Sequence, residues 1–151
     1  MFTNLLPREG HVDSGHAIYQ DEEGGLWHCL WDDGLLYHDC ATLTNYNTDD
    51  GLGYRVNKVV ESDNGDMWVG AWNGFSYAPD FRHRMKTDRP RFEHEKFDMR
   101  APDYYSWYNE VDCLFKGPDG VLWMGNDSGL WYHVPASHAA FPEYHGGSGP
   151  L

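Results

Sequence analysis

One segment of this sequence is written three times. The runs His16-Ala-Ile-Tyr-Gln-Asp-Glu-Glu-Gly-Gly-Leu-Trp27, Asn57-Lys-Val-Val-Glu-Ser-Asp-Asn-Gly-Asp-Met-Trp68 and Asp112-Cys-Leu-Phe-Lys-Gly-Pro-Asp-Gly-Val-Leu-Trp123 share a layout. A glycine stands three places before each tryptophan (Gly24, Gly65, Gly120), and an unbranched apolar residue stands one place before it (Leu26, Met67, Leu122). After the tryptophan come Gly34-Leu35 with Tyr37, Gly74-Phe75 with Tyr77, and Gly129-Leu130 with Tyr132. The tryptophans lie 41 and 55 residues apart, and the longer gap comes from an insertion, chiefly residues 80–90. The first copy departs from the pattern, with Cys29 where the others have Gly70 and Gly125 and one extra residue before Gly34. A period of this length means a series of like units, each too small to bury a core without its neighbours.

The local chemistry of each unit is that of linked β-hairpins. An apolar-alternating run such as Val56, Val59 and Val60 ends in Asp-Asn-Gly, a turn that accepts positive φ. A second strand carries the tryptophan, a glycine-containing turn follows, and a third strand carries the tyrosine. A fourth run completes the unit: Thr44-Asn-Tyr46, Arg91-Phe-Glu-His94 and Phe141-Pro-Glu-Tyr144. Glycine is frequent, at 17 residues, and almost no segment has the 3.6-residue apolar period of a helix. The expected fold is all-β, built from four-stranded antiparallel units, and their spacing suggests propeller blades. Trp27, Trp68, Trp123, Tyr37, Tyr77 and Tyr132 are then packing residues between sheets.

The run Asn47-Thr-Asp-Asp-Gly-Leu52, then Val56 and Val59, then Asp63-Asn-Gly-Asp-Met-Trp-Val-Gly70 and Asn73-Gly-Phe-Ser-Tyr77 resembles the two-component regulator propeller repeat. The other two units match more loosely, and together the three cover roughly residues 10 to 145. The resemblance implies a β-propeller of radially arranged blades, commonly seven, and a periplasmic or extracellular setting in sensor or secreted proteins. On this reading residues 1–9 form an N-terminal strand or latch (Phe2-Thr3 being the tail of an outer strand). Blade one spans 10–53, blade two 54–102 with its insertion at 80–90, and blade three 103–145. Residues 146–151 are a flexible glycine-rich tail. Propellers close with about four to eight blades, so three leave open sheet faces. The remaining blades are expected from a second copy of the chain, giving a homodimeric ring of six, or from the rest of a longer chain.

Charge narrows the partners. The 151 residues carry 11 Lys and Arg against 24 Asp and Glu, a net charge of −13. Nucleic acid and anionic membrane surfaces both need cationic fields, so neither is expected. An aromatic fraction of 16% argues against a disordered acidic tail, and no apolar run approaches a membrane span. Residues 1–10 lack the basic start and apolar run of a signal peptide. Cys29, Cys40 and Cys113 are odd in number and widely spaced, which fits three buried, unpaired thiols.

If the loops leading into the inner strands and those joining second to third strands share one face, one rim gathers the candidate binding residues. These are His16, Trp31, Tyr54, Arg55, Asn57, Trp72, Trp107, Tyr108, Asn109 and Glu110, with His11, Asp13, Tyr105, Asp32, Asn73, Asn126 and Asp127 nearby. The stretch Asp103-Tyr-Tyr-Ser-Trp-Tyr-Asn-Glu110 has too many rings to face one core. Exposed rings beside amides and carboxylates suit an oligosaccharide or other small polar ligand; the same rings would also suit an interface with a neighbouring blade or subunit.

Catalytic and metal motifs are sparse. Nine histidines show no metal-ligand spacing, and the equivalent inner-strand starts hold His16, Asn57 and Asp112, three different residue types. Asn45-x-Asn47-x-Asp49-Asp50-Gly51 nearly matches a calcium loop but lacks its twelfth-position Glu, so it reads as a turn. No nucleophile elbow or phosphate loop occurs, and no serine has a base beside it in sequence. Gly117-Pro-Asp-Gly-Val-Leu-Trp123 also resembles the repeat of virginiamycin B lyase, a magnesium-using propeller enzyme, but the likeness lies in the turn. No cofactor or metal is expected. The leading expectation is a non-enzymatic binding and assembly module. The alternatives are a fragment of a longer extracellular sensor, and a lyase or hydrolase with a site shared between blades.

Overall fold

A computed structural model describes residues 14–97, 109–127 and 129–134, which form three antiparallel sheets in chain order. The first contains β1 (Gly15–Gln20), β2 (Leu26–Leu30), β3 (Gly34–His38) and β4 (Leu43–Tyr46). The second contains β5 (Val56–Glu61), β6 (Met67–Ala71), β7 (Gly74–Ala78) and β8 (Glu93–Glu95). The third contains β9 (Cys113–Lys116), β10 (Leu122–Asn126) and β11 (Gly129–His133). Every sheet is a simple meander, each strand pairing with the next in sequence. The expected fourth run of the third unit, the N-terminal latch and the tail lie outside the described residues. The first strands lie side by side, β1 against β5 and β5 against β9. The Val111 N–H donates to the Ala71 carbonyl at 3.1 Å, tying the third unit to the second.

The repeated residues hold equivalent places. Gly24, Gly65 and Gly120 close the β1–β2, β5–β6 and β9–β10 turns at φ of 90°, 85° and 78°, the left-handed region where a side chain is strained. Each tryptophan sits directly across from its tyrosine: Trp27 opposite Tyr37, Trp68 opposite Tyr77, Trp123 opposite Tyr132. The ring centroids are 4.4, 4.3 and 5.5 Å apart, a cross-strand aromatic pair in each sheet. The indole N–H of Trp27 donates to Asp21 Oδ2 and that of Trp68 to Ser62 Oγ, six residues upstream in both cases. At the corresponding place the third unit has Gly117, which offers no side-chain acceptor.

The core lies between the first two sheets, where Trp27, Cys29, Leu35, Tyr46, Val56, Val59, Met67 and Val69 are buried together. The insertion belongs to that core. Its short helix α1 (Phe81–Arg84) drives Phe81 into full burial against Trp27, Tyr46 and Phe92, at centroid distances of 5.5, 5.3 and 5.2 Å. Three basic residues of the same segment then stitch the sheets together. Arg82 bonds the buried Glu61 of β5 through Nε and reaches Glu22 of the β1–β2 turn at 3.2 Å. Lys86 pairs with Glu23, and Arg89 donates to both oxygens of Asp50 and to the Asn45 carbonyl. Asp50 closes a 3-10 turn (Thr48–Asp50) capped by Asn47, so the stretch that nearly matches a calcium loop is a capped turn.

At the far end the pattern is open. On the third sheet Phe115, Leu130 and Tyr132 are exposed, on the face of the tryptophan–tyrosine pair, whereas Trp27, Tyr37 and Trp68 of the other two sheets are buried. On the first sheet Ile18 and Leu43 are exposed on the face opposite Trp27. Both the first and the third sheet thus carry exposed apolar residues. The expectation of three buried thiols needs correction. All three are unpaired, but only Cys29 is buried, while Cys40 and Cys113 sit at the surface. Cys40 occupies a left-handed turn position after β3, and Cys113 opens β9, where exposed residues alternate with partly buried ones.

Candidate binding rim

Backbone hydrogen bonds join the chain leading into the first strand to the turn after the second. The Trp31 N–H donates to the Ser14 carbonyl at 3.0 Å, and the Trp72 N–H to the Arg55 carbonyl at 3.2 Å. Those bonds bring the first two units' candidate residues to one edge of the sheets. Both first strands also carry a bulge at the same place. Gly15 and Ala17 pair with consecutive residues of β2, leaving His16 as the extra residue, and Val56 and Lys58 do the same around Asn57. A bulge re-aims one side chain and tightens the local twist.

His16, re-aimed in this way, stacks on Trp31 with centroids 4.5 Å apart and planes 22° from parallel. Trp31 meets Trp72 edge to face at 5.7 Å, crossing from the first sheet to the second. Over this pair lies Arg55, its guanidinium carbon 5.3 Å from the Trp31 centroid, 5.7 Å from Trp72 and 5.9 Å from Tyr54. Arg55 is a non-glycine residue at φ 57°, a backbone state that costs about 1–3 kcal/mol and persists where surroundings enforce it. In a chain of net charge −13, Arg55 makes no ion pair among the described residues, whereas Arg82, Arg89, Lys86 and Lys116 all do. Its guanidinium is held on ring faces instead, an arrangement favoured by the ring quadrupole.

Asn57 and Glu110 also meet. The Asn57 Nδ2 donates to Glu110 Oε1 at 3.3 Å, across the junction of the second and third units. Asn57 is buried and its Oδ1 has no partner among the described residues. Burial, then the charge of Asp112, push the Glu110 carboxyl above the usual carboxylate range. Asn109 is buried too. Asn57 and Asn109 therefore support the rim from beneath instead of lining its surface. Trp107, Tyr108, His11, Asp13 and Tyr105 lie outside the described residues.

One contact was invisible in sequence spacing. Ser76 Oγ lies 3.0 Å from His94 Nδ1, and the two residues are register partners across β7 and β8. Ser76 is fully buried, and its oxygen also accepts the Gly53 N–H at 2.9 Å. Burial holds the His94 imidazole below its ordinary pKa. The pair anchors the link between the first two sheets: the serine oxygen is enclosed and already engaged, so it is poorly placed to attack a substrate. The hairpin register that aligns residue 76 with residue 94 is the signal that would have found it.

No family model and no curated protein matches the sequence. Among solved structures the chain is similar to PorZ, described as an essential bacterial surface component of the type-IX secretion system of human oral-microbiomic Porphyromonas gingivalis. The superposition has a TM-score of 0.56 at 21% sequence identity, covering 78% of this chain and 18% of that one. The likeness is one of fold, and this chain spans less than a fifth of the length of PorZ.

Proposed function

We propose that this chain is a non-enzymatic binding and assembly module, an arc of β-propeller whose three blades complete a ring with further blades and bind a small polar ligand on one rim. The observation that carries the binding reading is the Arg55 cluster: a cation held in a left-handed backbone state over Trp31, Tyr54 and Trp72, beside His16 on its bulge. Ring faces with a fork of N–H donors suit an oligosaccharide, whose apolar faces stack while its hydroxyls accept hydrogen bonds. The arc reading is supported by the side-by-side first strands and by the exposure of Phe115 and Leu130 on the third sheet. A second copy would cover them and give six blades.

A glycan array probed with the wild type and with Trp72→Ala tests the rim. Retained glycans that the variant no longer holds, released chemically unchanged, support binding without turnover. Equal retention by both overturns the rim. Light scattering on a sizing column tests the ring, for which a mass near twice 17.4 kDa is expected. The coverage of only 18% of PorZ favours a second reading, in which the remaining blades belong to the same longer chain, as in an extracellular sensor. A monomeric mass supports that reading.

A further inference from the structure

The two junctions between sheets are built on the same repeat but filled differently. In the first, the outer wedge is closed by Tyr46 of β4, by Phe81 of the insertion and by Phe92 just after it. In the second, no insertion enters among the described residues, and a cavity of about 380 Å³ opens between β7–β8 and β11. That volume lies at the lower end of ligand pockets, roughly 300–1,000 Å³, and suits a small molecule.

The outermost strands show what changed. Where the first sheet places Thr44 opposite Tyr37 and Tyr46 opposite Leu35, the second places Glu93 opposite Tyr77 and Glu95 opposite Phe75. A buried ring and a hydroxyl are replaced by two carboxylates, on the face that carries the tryptophan. Behind them the wall is aromatic. Phe97 packs on Phe75 and on Trp131, each at 5.2 Å, and Trp68 forms the floor with Met124. Neither Glu93 nor Glu95 forms an ion pair among the described residues. Lys96 also reaches the wedge and leaves one cation against two carboxylates.

We propose that this wedge binds a small alkylammonium, its methyl groups against the rings of Phe97 and Trp131 and its charge facing Glu93 and Glu95. Ring faces attract a desolvated cation and carboxylates complete the charge, a combination that recognises quaternary ammonium groups. An anion would meet two carboxylates and the field of a chain of net charge −13. A purely apolar ligand would leave the carboxylates without a counterpart. The site is separate from the rim and does not depend on it.

Isothermal titration of the full chain with choline, and with its uncharged isostere 3,3-dimethylbutan-1-ol, tests the proposal. Choline is expected to bind roughly tenfold or more tightly than the isostere. The Glu93→Gln/Glu95→Gln variant is expected to weaken choline by roughly tenfold and leave the isostere unchanged. Both glutamates are exposed, so this variant should keep its unfolding midpoint. Trp131→Ala should lose choline binding. Equal affinity for the two ligands, an indifferent glutamine variant, or no heat up to about 10 mM choline would each overturn the site.

Discussion

Replacing Phe81 by alanine asks whether the insertion is part of the core or a loop laid over it. Phe81 has no solvent exposure and touches the rings of Trp27 and Tyr46 from the first sheet and of Phe92, just before β8 of the second. Transfer of such a ring from water is favourable by about 1.5–3 kcal/mol. Three aromatic contacts and the cavity left behind add to this, and measured Phe→Ala losses in cores run about 3–5 kcal/mol. For a chain of this size each kcal/mol moves the melting point by about 2–4 °C, so a fall of roughly 6–20 °C is expected. Urea unfolding followed by tryptophan emission should show the midpoint falling with little change in slope. Phe115→Ala, on the open face of the third sheet, is the control and should stay within about 0.5 kcal/mol in the monomer. A loss below about 1 kcal/mol for Phe81→Ala would refute the reasoning, because a wedge-filling ring cannot be removed so cheaply.

Arg82→Ala strands the buried carboxylate of Glu61 and should destabilise by about 3–5 kcal/mol; adding Glu61→Gln should recover part of that in a double-mutant cycle, and strict additivity would sink the coupling. Lys86→Ala, which breaks a pair exposed on both sides, should cost less than about 1 kcal/mol by the same denaturant assay. Burial raises the Asp50 carboxyl, but the hydrogen bonds and charge of Arg89 and the Asn47 N–H outweigh it and hold it below its ordinary pKa. Its contribution is therefore present at neutral pH and lost as pH falls through the lowered folded value. The stability gap between wild type and Arg89→Ala, about 1.5–3 kcal/mol at pH 7, should narrow below about pH 4, and a gap that widens in acid would contradict this. Burial pushes the Cys29 thiol up to about 12, so Ellman's reagent at pH 8 should modify Cys40 and Cys113 in the native chain and Cys29 only after denaturation.

What repeats in this sequence was legible, and what differs between the copies was not. Trp27, Trp68 and Trp123 recur because each sheet pairs an indole with a tyrosine across two adjacent strands, and their glycines recur because one turn geometry recurs. Those constraints are local and periodic, so spacing alone exposes them. The role of residues 80–90 is not local: Phe81 and Arg82 act on Trp27 and Glu61, which are 54 and 21 residues away, and no repeat partner announces it. Ser76 and His94 are separated by that same insertion, which hides their register.

The rim stands between these cases. Its membership followed from assuming that leading loops and second-to-third strand turns share an edge, and the Ser14–Trp31 and Arg55–Trp72 hydrogen bonds bring them together in two units. The division of labour within it did not follow. Sequence put Asn57 and Arg55 on the same footing, yet the bulge buries Asn57 against Glu110, while the left-handed turn before it lifts Arg55 onto the rings. A one-residue change in register reverses which face a strand residue occupies, and a bulge makes that change at a single position. The residues of the proposed rim are therefore set by two local backbone departures, at His16 and at Arg55–Asn57, where the first two copies stop resembling one another in side chain while keeping the same bend in the strand.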